Sequence, residues 1–171
     1  NDPAFAPLKP GAGPRHMVFR PDRRFAYVVN ELDSTVTAFA YDGSVGRLQE
    51  VQNESTLPAG FSSRSTTAEI IVHPNGRMLY ASNRGHDSLA RFTIDPESGR
   101  LTATGHHPTG GKTPRHFGLD PTGTLLAIGN QDSDKIVLAR IDQATGALTS
   151  SPQVASAPSP VCQVFLPPAG K

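Results

Sequence analysis

The sequence predicts an all-β chain: a β-propeller of four-stranded antiparallel blades, with about three blades and one closing inner strand present. Three observations predict it. First, a set of landmarks recurs three times: Pro21, Asn30, Asp42, Gly46 and Leu48, then Pro74, Asn83, Asp95, Gly99 and Leu101, then Pro121, Asn130, Asp142, Gly146 and Leu148. Second, the Pro-to-Asn step is 9 residues and the Asn-to-Gly step 16 in every copy, while the copies stand 53 and 47 residues apart. Self-similarity at that period marks a modular array. Third, the 16 Gly and 16 Pro among 171 residues supply the many turns that an all-β repeat requires.

Residues 1–13, Pro-rich and irregular, read as the end of a preceding blade. The blades themselves are expected over 14–66, 67–113 and 114–159. In each, a first strand (16–20, 69–73, 116–120) is closed by proline and a turn such as Pro74-Asn75-Gly76. A second strand (25–30, 78–83, 125–130) runs to the repeated asparagine, and a third (35–41, 88–94, 135–141) follows. Asp95-Pro96-Glu97-Ser98-Gly99 or Asp142-Gln143-Ala144-Thr145-Gly146 then turns the chain into a polar fourth strand. Four-stranded modules of about 40–50 residues are propeller blades.

The tail repeats only the start of this pattern. Pro14 to Pro21 and Pro114 to Pro121 are 7-residue steps across an inner strand, and Pro160 to Pro167 is the same step. A closing inner strand is therefore expected over 160–167. Rings close with about four to eight blades, so the expectation is the C-terminal half of a longer protein, with the N-terminal half of the propeller as its partner. Completion of a ring by self-association is the rival arrangement.

Composition excludes several classes. A net charge of +1 with scattered Arg and Lys offers no electrostatic footprint for nucleic acid. No apolar run approaches the ~20 residues of a membrane-spanning helix, so no membrane is expected as a partner. With Cys162 as the single cysteine, no internal disulfide can form. The expected compartment is the cytoplasm, with the periplasm left open because a signal peptide would lie upstream.

In an antiparallel hairpin the start of the first strand faces the end of the second. This sets His16 near Asn30, Glu69 near Asn83 and His116 near Asn130 on one rim, around the channel mouth. The column before reads Arg15, Ala68 and Arg115. Cations, imidazoles and a carboxylate converging on one mouth resemble an anion-binding acid/base site. The bland reading is that these groups make hydrogen bonds between blades and that the asparagines cap turns. The first repeat carries six extra residues in the loop 53–67, which holds Phe61 and Arg64. That loop reads as a lid, a substrate contact or plain surface, with Arg64 as a candidate third cation. His86, His106 and His107 read as surface residues. A metal site built from His16, Glu69, His116, Asn30 and Asn83 is disfavoured, because no tight ligand spacing such as His-Glu-x-x-His is present.

Gly11-Ala12-Gly13-Pro14-Arg15-His16-Met17-Val18-Phe19, followed by Tyr27-Val28-Val29-Asn30-Glu31-Leu32, closely resembles the signature of the lactonase family of seven-bladed propellers. Ala68-Glu69-Ile70, Pro74-Asn75-Gly76-Arg77 and Tyr80-Ala81-Ser82-Asn83-Arg84-Gly85 are similar to its next blade, and Pro114-Arg115-His116-Phe117 to the one after. The family includes propeller-type bacterial 6-phosphogluconolactonase and the fungal carboxy-muconate lactonising enzymes. The resemblance implies a seven-bladed ring, an active site at the channel mouth and no obligatory metal or organic cofactor. It carries a histidine, a glutamate and arginines onto His16, Glu69 and Arg115 as catalytic residues, with Arg15 and Arg64 as substrate contacts. Asn30, Asn83 and His116 complete the expected substrate-binding set. The expected reaction is hydrolysis of a small anionic sugar-acid lactone, 6-phosphogluconolactone above others. Muconate-type cycloisomerisation and non-catalytic ligand binding are the alternatives, and this piece alone is expected to be inactive.

Overall fold

A computed structural model describes residues 4–166. Twelve strands form three sheets. The first holds β1 (Pro14–Phe19), β2 (Phe25–Asn30), β3 (Thr35–Asp42) and β4 (Arg47–Ser55). The second holds β5 (Thr66–Val72), β6 (Met78–Arg84), β7 (Ser88–Ile94) and β8 (Leu101–Pro108). The third holds β9 (Pro114–Leu119), β10 (Leu125–Asn130), β11 (Lys135–Ile141) and β12 (Leu148–Ser156). Each strand pairs antiparallel with the next in sequence, so each sheet is a meander, or blade. The inner strands begin two or three residues before their expected starts, because each is bulged near its first residues.

Two apolar seams join the blades. Phe25, Tyr27 and Val29 of blade 1 meet Ile70, Leu79, Ala81 and Phe92 of blade 2. Met78, Tyr80 and Leu89 of blade 2 meet Phe117, Leu126 and Ile128 of blade 3. Successive strand residues point to opposite faces. This is why β6, buried from Met78 to Asn83, sends Leu79 and Ala81 one way and Met78 and Tyr80 the other.

Polar ties repeat along the seams. The Tyr27 hydroxyl donates to Gly99 O at 3.1 Å and the Tyr80 hydroxyl to Gly146 O at 3.0 Å. Burial raises both phenols above their usual pKa, Tyr80 to about 12. At the far rim, Arg20 Nε donates to Gly76 O at 2.9 Å, and His73 Nε2 bonds Gly123 O at 2.8 Å.

The asparagine column is a latch between blades. Asn83 Nδ2 donates to Thr56 O at 2.8 Å while Thr56 Oγ1 donates back to Asn83 Oδ1 at 2.7 Å, and Asn130 Nδ2 donates to Thr109 O at 3.0 Å. Thr56 and Thr109 lie on the loops leaving blades 1 and 2. Asn30 instead turns its amide inward to Thr35 and Thr37, both at 2.9 Å. Removing one partner of a buried hydrogen bond costs about 1–3 kcal/mol. Asn83→Ala is therefore expected to lower unfolding stability by about 2–4 kcal/mol in a urea titration, with no change in ligand affinity.

Residues 157–166 form no strand, in contrast to the closing strand expected over 160–167. A strand needs a ladder partner, and none is present for this stretch among the described residues. It runs instead against blade 3, where the Gln163 carbonyl lies 2.6 Å from the place a Gly118 Cβ would take. Pro167 lies outside the described residues.

Candidate active site

The bulges in the inner strands build the site. Pro14 pairs with Asn30 but His16 with Val29, leaving Arg15 as the extra residue. Thr67 pairs with Asn83 and Ile70 with Ala81, so Ala68 and Glu69 together oppose Ser82. Pro114 pairs with Asn130 and His116 with Gly129, leaving Arg115 extra. In a regular strand neighbouring side chains diverge, whereas a bulge re-aims them. Arg15 consequently lies against its own neighbour, with one terminal guanidinium nitrogen 3.1 Å from both ring nitrogens of His16.

Glu69 is the hub. The residue is 7% exposed, and its carboxylate is met from three sides. His16 Nδ1 stands 2.9 Å from Oε1, the Ile70 amide donates to Oε1 at 3.0 Å, and His116 Nε2 lies 3.4 Å from Oε2. A buried carboxylate is tolerable when donors of this kind surround it. The His16 side chain is 42% exposed, so the dyad has a buried anchor and an accessible imidazole. An ionised carboxylate only accepts, hence neutral His16 presents Nδ1–H to Glu69 and leaves Nε2 as an acceptor, with the Arg15 guanidinium 3.1 Å away as its donor.

Arginines make the surrounding field positive. Arg15 donates to Ala68 O at 2.8 Å and lies 3.9 Å from Glu31. Arg84 pairs with Glu31 at 2.5 Å and donates to Thr67 O at 3.0 Å. Burial, together with the neighbouring charge of Arg115, holds the Arg15 guanidinium below its usual pKa, against the opposing pull of Glu69 and Glu31. The hydrogen bond from Arg84 holds the Glu31 carboxyl below its usual range. Arg115 is half-buried, and its guanidinium has no hydrogen bond or ion pair among the described residues. Within this cluster it is the unpaired arginine among the described residues.

The structure brings together His16, Glu69, Arg15, Arg115 and His116. Asn30 and Asn83 stand apart from this group: both are buried, at 1% and 0% exposure, with the Asn30 amide nitrogen held by Thr35 and Thr37 of its own blade and Asn83 in the latch with Thr56. Arg64 is exposed and forms no hydrogen bond or ion pair with the described residues. Its loop is held down from below, since Arg64 O lies 2.4 Å from where a Gly85 Cβ would stand and Ser65 Oγ donates to Arg84 O at 3.1 Å. Nor are the remaining histidines plain surface residues. Phe61, His86 and His106 form an edge-to-face pile with centroids 4.8 and 5.3 Å apart. His107 reaches Ser150 at 3.0 Å. Burial lowers the pKa of both His86 and His107.

A hollow of about 260 Å³ lies beside Arg15 and His16, floored by Val28 and Phe39. A larger cleft of about 770 Å³ opens on the opposite rim between Asn75, Arg77 and Gln143. It contains no imidazole or carboxylate, while the smaller hollow touches the cluster only through Arg15 and His16. Among the described residues, no group of three or more ligand-type side chains is arranged to hold a metal ion.

The sequence profile described as "Lactonase, 7-bladed beta-propeller" matches residues 1–165. The chain belongs to that family. It is 41% identical over 157 residues to a 6-phosphogluconolactonase of Bacillus subtilis, covering 92% of this chain and 45% of the relative. A 6-phosphogluconolactonase of Pectobacterium carotovorum is 46% identical over 138 residues, covering 81% and 41%. A solved periplasmic gluconolactonase of Pseudomonas aeruginosa superposes with a TM-score of 0.87 at 37% identity, covering 93% of this chain and 44% of that one. The chain thus spans less than half the length of these relatives.

Within this lactonase-family chain, Glu31 and Arg84 belong to the candidate cluster and were not among the residues expected there. The signal was available: they directly follow Asn30 and Asn83, in a column where blade 3 carries Gln131. What hid it was the assumption that the asparagines themselves faced the mouth.

Proposed function

We propose that the full-length protein containing this chain hydrolyses a sugar-acid lactone, with 6-phosphogluconolactone as substrate and 6-phosphogluconate as product. One observation carries the reading: an accessible imidazole, His16, is hydrogen-bonded by a buried carboxylate, Glu69, at 2.9 Å and flanked by arginines. Arg15, 3.1 Å from His16 Nε2, turns to the bound ligand, and His16 Nε2 then takes a proton from water as the oxygen adds to the lactone carbonyl carbon. General-base assistance of this kind contributes about 10²–10⁴ in rate. Glu69 fixes the tautomer and offsets the imidazolium charge. Arg115 and Arg15 stabilise the tetrahedral oxyanion or hold the phosphate, which a planar guanidinium can grip with two N–H groups. Collapse breaks the ring ester bond, the alkoxide takes the proton back from His16, and the free hydroxy acid leaves.

The relatives' names support the substrate class, as does the positive field. A phosphorylated lactone crosses membranes poorly, so the cytoplasm is the compartment that fits this substrate. We also assign to the chain part of a seven-bladed ring, whose other blades wall the mouth. The 171-residue piece by itself is expected to be inactive.

Turnover of 6-phosphogluconolactone in H₂¹⁸O by the full-length protein tests the reaction. One label per product carboxylate is expected, whereas a cycloisomerase would incorporate none. Loss of a single oxyanion-stabilising donor typically lowers rate by about 10²–10³, so Arg115→Ala should lose that much in kcat/KM. Near-normal turnover by this variant would remove Arg115 from the mechanism.

A further inference from the structure

Resting on that reading, we infer that His116 is a positioning residue, and that the segment after the last blade sets its tautomer. Gln163 N–H donates to His116 Nδ1 at 3.1 Å. A backbone N–H is fixed in direction by the chain, whereas the Gln163 side-chain amide, with Oε1 3.3 Å from the same nitrogen, can turn. The backbone donor therefore decides: Nδ1 is the acceptor, and a neutral ring carries its proton on Nε2. That nitrogen faces Glu69 Oε2 at 3.4 Å, with Cys162 Sγ 3.9 Å away.

The network then closes without conflict. Gln163 N–H caps His116 Nδ1, His116 Nε2 stands 3.4 Å from one oxygen of Glu69, near enough for its proton to close on that oxygen by a small turn of the ring, and Ile70 N–H and His16 Nδ1–H occupy the other. The remaining acceptor is His16 Nε2, which faces the Arg15 guanidinium at 3.1 Å and takes a proton from water once Arg15 turns to the ligand. Turning His116 to the other tautomer would set a lone pair against the carboxylate and push Glu69 away from His16. Residues 162–163 thus couple the seating of the segment after blade 3 to the competence of the base. This gives His116 a role through Glu69, distinct from the substrate contact expected from its place in the repeat.

Two measurements on the full-length protein test this. His116→Phe is expected to lower kcat by about 10–100-fold, the range usual for a group that orients a reacting one, with KM within about threefold. His116→Gln places an amide donor near the former Nε2 and should restore most of kcat. A tenfold rise in KM with kcat intact, an unchanged kcat in His116→Phe, or no rescue by His116→Gln overturns the inference. Independently, ¹⁵N–¹H correlation spectra of the unaltered protein should show His116 protonated at Nε2 and bare at Nδ1, and the reverse tautomer overturns it. That spectrum is readable whether or not any lactone is opened and whether or not a variant folds, so failure of the lactonase reading is distinguished from failure of the relay.

Discussion

Glu69→Gln in the full-length protein is expected to lower kcat for lactone opening by about 10²–10⁴, the span that general-base assistance supplies, with little change in KM. The substitution is nearly isosteric, so its effect comes from hydrogen bonding. A carboxylate only accepts and therefore holds the proton of neutral His16 on Nδ1. A glutamine amide can turn its NH₂ toward Nδ1, which drives the proton to Nε2 and leaves no lone pair for water. An ionised partner is lost as well, so the imidazolium formed in the transition state has no counter-charge. His16→Ala should lose about as much. Because the two act as one unit, the double variant should be no slower than either single variant. Steady-state kinetics on the three proteins check this. Losses that multiply would mean that Glu69 and His16 work separately.

Gly99→Ala is expected to destabilise the protein by about 3 kcal/mol, read as a lower urea midpoint at unchanged m. Two costs combine. The backbone sits at φ +69, where a Cβ costs about 1–2 kcal/mol. That Cβ would also stand 2.2 Å from Cδ1 of Phe25, a ring buried in the seam between blades 1 and 2. Overpacking a well-filled core costs about 1–3 kcal/mol. Gly110→Ala separates the two, since φ there is +70 but the nearest side-chain atom is at 3.5 Å. It should lose only the backbone share, about 1–2 kcal/mol. Equal losses at both positions would show that the seam relaxes around the new methyl group.

The glycine column shows how a repeat encodes packing. Read along the chain, Gly46, Gly99 and Gly146 are turn residues before a fourth strand, and their positive φ fits that role. In the fold, Gly99 and Gly146 also receive a tyrosine hydroxyl from the preceding blade and leave room for Phe25 and Met78. The asparagine column behaves the same way. Its regular spacing was legible, but its partners, Thr56 and Thr109, lie on other blades. A side chain that satisfies a loop on a neighbouring module leaves no local signature, and this is why Asn83 looked like a rim contact, whereas Asn30 turns back on Thr35 and Thr37 of its own hairpin.

By itself the sequence determined the scaffold and the column that holds the candidate site. Strand alternation, proline stops and Gly turns are local, and their recurrence is enough to specify three blades and to align His16, Glu69 and His116. Only the tertiary structure decided which of those groups is buried and which is open, because that depends on what covers each from the next blade. Three inner-strand bulges turn Arg15, Glu69 and Arg115 into one cluster. Glu31 and Arg84 join it across 53 residues of chain. A fixed backbone N–H at Gln163 orients His116 from 47 residues away. Hydrogen-bond direction and burial are set by neighbours in space, and the repeat spacing carries no record of them.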